Sequence, residues 1–455
     1  MAQDMTTGKP ARLLLSFSLP ILLGNIFQQL YNMVDSVVVG RGVGVDALSA
    51  VGASGVVYCA ILGFGMGMAE GFAILPAQQY GAQNYEKLRK LIGTGVLLTA
   101  ITAILMTAGG CLFSRPLLRV MHTPQELLEE AKLYMQILSA GICITLFYNF
   151  FAAILRALGD SRTPLLAMIA ASVINVVLDI LFVIVFRMGV SGAAVATLIA
   201  QGFSLFCCIA AIYKIPFLRF SRGDWKVAGD RIWALLRLGI PMALQNIIIN
   251  IGAMILQYVV NLYGSLYIAA YTTGNKILNI IAQPPICLGA AMTSYTGQNI
   301  GARRLDRVRL GLRHCFWLTM GICALIMIII FLGADGILAL LLPPGETEVI
   351  AIGASYVRII TVALPFLGLI TTYRSALQGM GNTVLPMAAS GVELLLRVSL
   401  PFVLPAALGF SMIGIAEASA WTGGALLLVA SYYGLMRKVE REAQRTSATM
   451  RPSRR

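Results

Sequence analysis

Apolar runs of about twenty residues recur along the whole chain, and short polar segments separate them. A helix of that length crosses the hydrocarbon core of a bilayer. The pattern therefore predicts an all-α integral membrane protein with twelve transmembrane helices and no separate soluble domain. The approximate ranges are 13–38, 47–74, 90–113, 131–156, 163–186, 191–213, 233–260, 265–292, 311–335, 350–373, 384–408 and 411–436.

The second half of the chain resembles the first at a shift of about 220 residues. The segment LRALGDSRTP at 155–164 aligns with LQGMGNTVLP at 377–386. Two sets of six spans with the same orientation predict two six-helix bundles related by a pseudo-two-fold axis along the membrane normal. We place the N-terminal lobe at 1–222 and the C-terminal lobe, with a basic cytoplasmic tail, at 223–455.

Composition and charge indicate how the chain lies in the membrane. Of the residues, 58% are hydrophobic and 12% are charged, against about 25% charged in ordinary domains. The net charge of +14 comes from Lys and Arg concentrated in alternate loops, which the positive-inside rule places in the cytoplasm. We expect a multi-pass inner (plasma) membrane protein with both termini cytoplasmic, in contact with anionic lipid and without a nucleic-acid partner.

Two places in the first half carry acids inside apolar spans. Asp35 lies in the first span, where a charge costs about 2.5–3.5 kcal/mol and by default marks a functional site. Tyr31 precedes it by one turn, and Pro20 lies a few turns earlier, where it can bend the helix. Asn175 and Asp179 lie one turn apart in the fifth span.

The second half carries a different polar set. Glu393 and Arg397 are spaced for an intrahelical ion pair, which is either a structural pair or part of a substrate cavity. Lys276 in the eighth span is expected to pair with Glu393 or to bind an anionic substrate. Gln245 in the seventh span is the remaining candidate for the substrate cavity.

Six segments together resemble the prokaryotic multidrug and toxic compound extrusion (MATE) family over nearly the whole chain. They are LPILLGN and YNMVDSVVVGR within 19–41, QQYGAQN at 78–84, SVINVVLDILFV at 172–183, and the two aligned segments named above. The resemblance implies two helical bundles around a central cavity. It also implies export of organic cations and other amphipathic compounds in exchange for entering sodium ions or protons.

The resemblance also implies an acidic ion site in the first bundle, formed by Asp35, Tyr31, Asn175, Asp179 and Thr197. The second half departs from sodium-coupled relatives, because Gln245 stands where some of them have a glutamate and the tenth span has no aspartate. An ion site in the second half is therefore not expected.

Two carboxylates brought together in a low dielectric do not both stay charged cheaply, so Asp35 and Asp179 are expected to share one proton or sodium ion. Neutralisation would then let the first helix bend at Pro20, as a gate. Tyr31, Asn175 and Thr197 supply neutral oxygens of the kind that a hard cation needs. The alternative is a static hydrogen-bonded cluster that only specifies packing.

The function predicted from the sequence is secondary active efflux of small molecules by alternating access, from a monomer. The chain has no phosphate-binding loop, no metal-ligand spacing among its eight cysteines and no catalytic constellation, so we expect neither an enzyme nor a cofactor other than the coupling ion. A metal is not expected, apart from sodium at Asp35 and Asp179. The alternative function, a flippase for lipid-linked saccharides, is kept open by Arg397 and Lys276.

Overall fold

The computed structural model describes residues 3–120, 125–226, 228–343, 345–403 and 409–449, and within these ranges the regular structure is helical, without strands. The α-helices are α1 (Pro10–Gly42), α2 (Val45–Gly81), α3 (Tyr85–Val120), α4 (Gln125–Ala140), α5 (Ile142–Ala157), α6 (Arg162–Asp179), α7 (Gly189–Tyr213), α8 (Gly229–Asn261), α9 (Ser265–Ile281), α10 (Gln283–Gly301), α11 (Leu305–Ala339), α12 (Thr347–Gly379), α13 (Val384–Val403) and α14 (Ser411–Thr449).

The prediction of twelve spans is confirmed, although residues 404–408, the end of the predicted eleventh span, lie outside the described residues. Among the described residues, eleven helical segments are long and apolar enough to cross a membrane, and the bent pair α4 and α5 makes a twelfth. That pair bends by 46° at Gly141. The eighth span is likewise built from two helices, because α10 starts with Gln283-Pro284-Pro285 and prolines without an N–H interrupt the helical ladder.

The chain forms two compact units, and each is a bundle of helices in the same order along the sequence. The first unit contains Met1–Thr7 and Leu15–Ile247, and the second contains Gly8–Leu14 and Ile248–Arg455. The lobe boundary predicted at residues 222 and 223 lies in the connection before α8, and it stays a prediction.

Glycines let α2 and α8 approach closely within the first unit. A Cβ at Gly71 would lie 2.5 Å from Cα of Gly239, and a Cβ at Gly67 would lie 2.7 Å from the backbone of Ala243. Nearby, Asn246 donates to the Gly63 carbonyl at 3.1 Å. Small residues at this spacing are the usual means of bringing membrane helices into contact.

The connection between α7 and α8 is folded onto α3 rather than extended. It forms two short 3₁₀ helices, Pro216–Leu218 and Arg222–Trp225. Arg89 of α3 donates to Asp224 Oδ2 and to the Phe217 carbonyl, each at 3.1 Å. In the second unit, Arg309 aligns with Arg89 in the repeat and forms an ion pair with Glu440, after the last span. In each repeat, therefore, an arginine near the start of the third span binds the segment that follows the sixth span.

The carboxylate of this connection has a shifted pKa. Burial acts to raise the pKa of Asp224, but hydrogen bonds from the Ser221 N–H and hydroxyl and from the Arg89 guanidinium outweigh it, and the pKa lies below its usual range. The Ser221 N–H and hydroxyl donate to Asp224 Oδ2 at 2.8 and 2.9 Å. The charged form of Asp224 is thus the form that the folded connection stabilises.

Candidate functional site in the first unit

The structure brings together the two predicted acids of the first unit. Asp35 is half-buried on α1, and Asp179 is completely buried as the last residue of α6. Their carboxylates lie within electrostatic range of one another. Asn175 is also buried, one turn before Asp179 on the same helix.

Several polar atoms at this place have no protein partner. In the part of the chain that the structure describes, Oδ1 of Asp35, both carboxylate oxygens of Asp179 and both amide atoms of Asn175 are buried without a hydrogen bond. A buried polar group left unsatisfied costs about 1–3 kcal/mol, and more when it is charged. The static hydrogen-bonded cluster considered as an alternative would satisfy these atoms internally, and the observed geometry does not.

The backbone changes its helical form directly after Asp179. Residues Ile180–Val185 form a π-helix, in which the Phe186 N–H donates to the Leu181 carbonyl at 2.8 Å. Short π-helical segments are rare and are frequent at functional sites. The fifth span thus consists of α6 and this segment, and Asp179 stands at the junction.

Tyrosines complete the surroundings of the acids. Tyr31 of α1 lies within electrostatic range of Asp35 and Asp179. Tyr58 of α2 and Tyr134 of α4 are buried and belong to the same group of interacting side chains. Sequence reasoning missed both. The available signal was that a buried tyrosine hydroxyl in an apolar span needs a polar neighbour.

Thr197 has no observed hydrogen bond that connects it to the two acids in the described part of the chain. It is half-buried on α7, one turn before Gln201, whose side-chain oxygen accepts a hydrogen bond from Thr145 of α5. Within the described residues, Thr197 makes no side-chain hydrogen bond to Asp35 or Asp179. Its role in the site stays a prediction.

Helix α1 continues without interruption through Pro20. Pro20 lacks the N–H that would donate to the carbonyl four residues earlier, which weakens the ladder locally. On either side of Asp35, α1 packs closely on the fifth span: a Cβ at Gly24 would lie 3.5 Å from Leu165, and one at Gly42 would lie 3.1 Å from Val183. The hinge at Pro20 stays a prediction. Helix α1 contains both Pro20 and Asp35, one of the two acids.

In the second unit, the predicted pairing of Glu393 with Arg397 is not the pairing observed. Arg397 donates from Nε and Nη2 to the two carboxylate oxygens of Glu417 on α14, each at 2.7 Å. Glu393 accepts from Arg374 of α12 at 2.6 Å. Neighbouring helices supply partners here because α13 packs closely on α14, where a Cβ at Gly424 would lie 2.7 Å from Cγ of Glu393. The bidentate contact also satisfies a planar guanidinium better than a side chain one turn away on the same helix.

The other two residues predicted for the substrate cavity are placed as follows. Lys276 is exposed on α9, and its predicted partner Glu393 is held by Arg374 instead. Gln245 is buried on α8 within the first unit. Sequence reasoning missed Arg374 and Glu417. The rule that singled out Asp35, an ionisable side chain inside an apolar span, applies to Glu417, whereas Arg374 lies one residue beyond the predicted tenth span and inside the longer observed helix α12.

The donor atoms of the acid pair suit a proton or a hard cation. Among the described residues, no three His, Cys, Asp or Glu side chains group as a metal site. Asp35, Asp179 and the Asn175 side chain instead offer oxygen atoms, with the Tyr31 hydroxyl nearby. Oxygen-only donors favour hard ions over transition metals.

Comparisons with known proteins agree with this architecture. The MatE family model matches residues 20–181 and again 241–403. The probable multidrug resistance protein YpnP of Bacillus subtilis (strain 168) is 32% identical over 370 residues, which are 81% of this chain and 82% of that protein. The probable multidrug resistance protein NorM of Thermotoga maritima is 25% identical over 418 residues, 90% of this chain and 88% of that protein.

Solved structures show the same fold. A MOP superfamily transporter from Pyrococcus furiosus matches with a TM-score of 0.89 at 23% identity, over 96% of this chain and 98% of that chain. The two family matches fall one in each six-helix half, as the internal repeat predicted. The chain therefore belongs to the MatE family of multidrug and toxic compound extrusion transporters.

Proposed function

We propose that this protein exports small amphipathic compounds, organic cations among them, in exchange for entering protons or sodium ions. Membership of the family makes it a multi-pass transporter of small molecules and not an enzyme. The observation that carries the coupling is the pair Asp35 and Asp179, whose buried oxygens have no partner among the described residues.

The ion acts by changing the charge of this pair. Two carboxylates in a low dielectric repel each other, so a proton or a sodium ion bound between them removes a large electrostatic cost. Asp35 lies on α1 and Asp179 on the fifth span, and their attraction through a shared ion draws the two helices together. Pro20 gives α1 a weak point at which to respond, so ion occupancy and the shape of the helix are linked.

The charged residues of the second unit bear on the alternative of a saccharide-lipid flippase. That alternative rests on a surplus of positive charge facing the substrate. Arg397 is neutralised by Glu417 and Arg374 by Glu393. Of these three cations, the exposed Lys276 is the one without an ion pair in the part of the chain that the structure describes. The pairing therefore favours export over the flippase reading.

Orientation and assembly follow from the sequence. The concentration of Lys and Arg in alternate loops supports cytoplasmic termini and residence in the inner membrane. Two bundles within one chain support a monomer, since each chain carries both halves of the repeat.

Efflux from proteoliposomes tests the function. The purified chain is reconstituted, loaded with the fluorescent organic cation ethidium, and exposed to either an imposed sodium gradient or an imposed pH gradient. We expect one gradient to drive ethidium movement in the wild type and neither to drive it in Asp35→Asn or Asp179→Asn. The matched control is Asp230→Asn, the same substitution at an exposed position at the start of α8.

Gradient-driven transport at the wild-type rate in both site variants would refute the coupling role of the acids. A loss of equal size in Asp230→Asn would show that the assay reports general damage. Ion uptake is measured in parallel, as ²²Na⁺ bound or protons released by the purified protein. This readout tests the ion site even if ethidium is not a substrate.

A further inference from the structure

A cleft of about 510 Å³ opens at the surface of the second unit. One wall is Ala11, in the first turn of α1, and the other is the N-terminal part of α11. The lining residues on α11 are Leu310, Arg313, His314, Trp317 and Leu318. The volume falls within the range of roughly 300–1,000 Å³ that is usual for small-molecule sites. Its lining is mainly apolar, with one guanidinium and one imidazole.

The position of the cleft along α11 places it at the edge of the hydrocarbon. The helix has 35 residues. At 1.5 Å per residue it is about 52 Å long, against about 30 Å of bilayer core, so about 11 Å extends beyond the core at each end. Arg313 lies about 12 Å along the axis from Leu305, at the level where headgroups meet acyl chains. Trp317, one turn deeper, has 64% of its surface exposed, and in a membrane that surface meets lipid.

The arginine of the cleft differs from its neighbours on the same helix. Arg307 donates to the Gly8 carbonyl at 3.0 Å, and Arg309 pairs with Glu440. Arg313 is exposed and has neither an ion pair nor a hydrogen bond within the ranges that the structure describes. A guanidinium has five N–H donors in a planar fork, which matches the oxygens of a phosphate.

The histidine contributes a second polar atom. Nδ1 of His314 lies 2.8 Å from the Leu310 carbonyl. A carbonyl only accepts, so Nδ1 carries the hydrogen and Nε2 is the nitrogen left for another partner. An unpaired guanidinium and one imidazole nitrogen thus stand beside an apolar wall.

We propose that this cleft binds one anionic phospholipid, with its phosphate on Arg313 and an acyl chain along Leu310 and Trp317. Basic pockets beside membrane helices on the cytoplasmic side are suited to anionic headgroups. The leaflet rests on the orientation proposed above, whereas the lipid chemistry rests on the cleft alone. Because Ala11, in the first turn of α1, forms the opposite wall, a bound lipid would link the start of α1 to α11.

Quenching of Trp317 fluorescence tests the proposal with the full chain in vesicles. The vesicles contain a small fraction of lipid with brominated acyl chains, either phosphatidylglycerol or phosphatidylcholine. The signal of Trp317 is the fluorescence that is absent from Trp317→Phe. One arginine near the surface contributes about 1 kcal/mol toward an anionic lipid, so we expect phosphatidylglycerol to be preferred about fivefold at Trp317.

Three variants of this chain separate the site from a general effect of charge. Arg313→Gln should reduce the preference to about one, while Arg313→Lys should keep part of it because an ammonium still attracts phosphate. Arg437→Gln removes an exposed arginine from α14 of the same unit and should leave the preference unchanged. Equal quenching by both lipids in the wild type, an unchanged preference in Arg313→Gln, or an equal loss in Arg437→Gln would each overturn the proposal.

Discussion

Replacing Glu417 with glutamine is expected to destabilise the second unit strongly. Arg397 is only 6% exposed and Glu417 only 9%, and two hydrogen bonds of 2.7 Å join them. Removing one partner leaves a charged guanidinium buried with a weaker acceptor. Breaking a buried ion pair in this way costs about 3–5 kcal/mol. If Arg397 were paired with Glu393 instead, the loss of the Glu417 charge would leave Arg397 with its partner and would cost less.

The difference in magnitude allows the pairing itself to be tested. The melting behaviour of the detergent-solubilised protein is followed by the monodisperse fraction that survives heating, with one heating time for all variants because unfolding of such proteins is often irreversible. Glu417→Gln should melt several degrees below the wild type. The double variant Arg397→Gln with Glu417→Gln should recover much of the loss, because no unpaired charge remains.

The control cycle uses the pair suggested by sequence spacing. Glu393→Gln should couple to Arg374→Gln and only weakly to Arg397→Gln, because Glu393 accepts directly from Arg374. Coupling of Arg397 to Glu393 in preference to Glu417 would refute the observed arrangement. So would a Glu417→Gln variant that melts together with the wild type.

Three further outcomes are expected. Pro20→Ala should strengthen the α1 ladder and slow gradient-driven efflux while leaving ion binding by the purified protein intact; an unchanged efflux rate would count against the hinge. Gly71→Ala should lower the melting temperature, because overpacking against Gly239 costs about 1–3 kcal/mol of stability. Gly55→Ala should leave it unchanged, because a Cβ at Gly55 meets no described atom within 4 Å. Because folding lowers the pKa of Asp224, its contribution is present above the unfolded value of about 3.9 and is lost as the pH falls through the lower folded value. Hydrogen exchange of the connection between α7 and α8 should therefore stay slow at pH 5 and rise below about pH 4, and in Asp224→Asn it should be fast already at pH 7.

The sequence alone predicted the fold class, because the bilayer limits the choice of structure. Backbone groups in hydrocarbon must be satisfied within the segment, so a run of about twenty apolar residues has essentially one solution, a helix. The same constraint makes a rare polar side chain in such a run conspicuous. Asp35, Asn175 and Asp179 were found in this way.

Only the tertiary structure decided which polar groups meet. Helical spacing favoured Glu393 with Arg397, but contacts between helices join Arg397 to Glu417 and Glu393 to Arg374. Periodicity along one helix reports which residues share its face, and it carries no information about the neighbour that the face meets. For the same reason the sequence did not single out Tyr58 and Tyr134, which packing places in one group with Tyr31. The π-helix after Asp179 likewise left no mark in the pattern of hydrophobic positions.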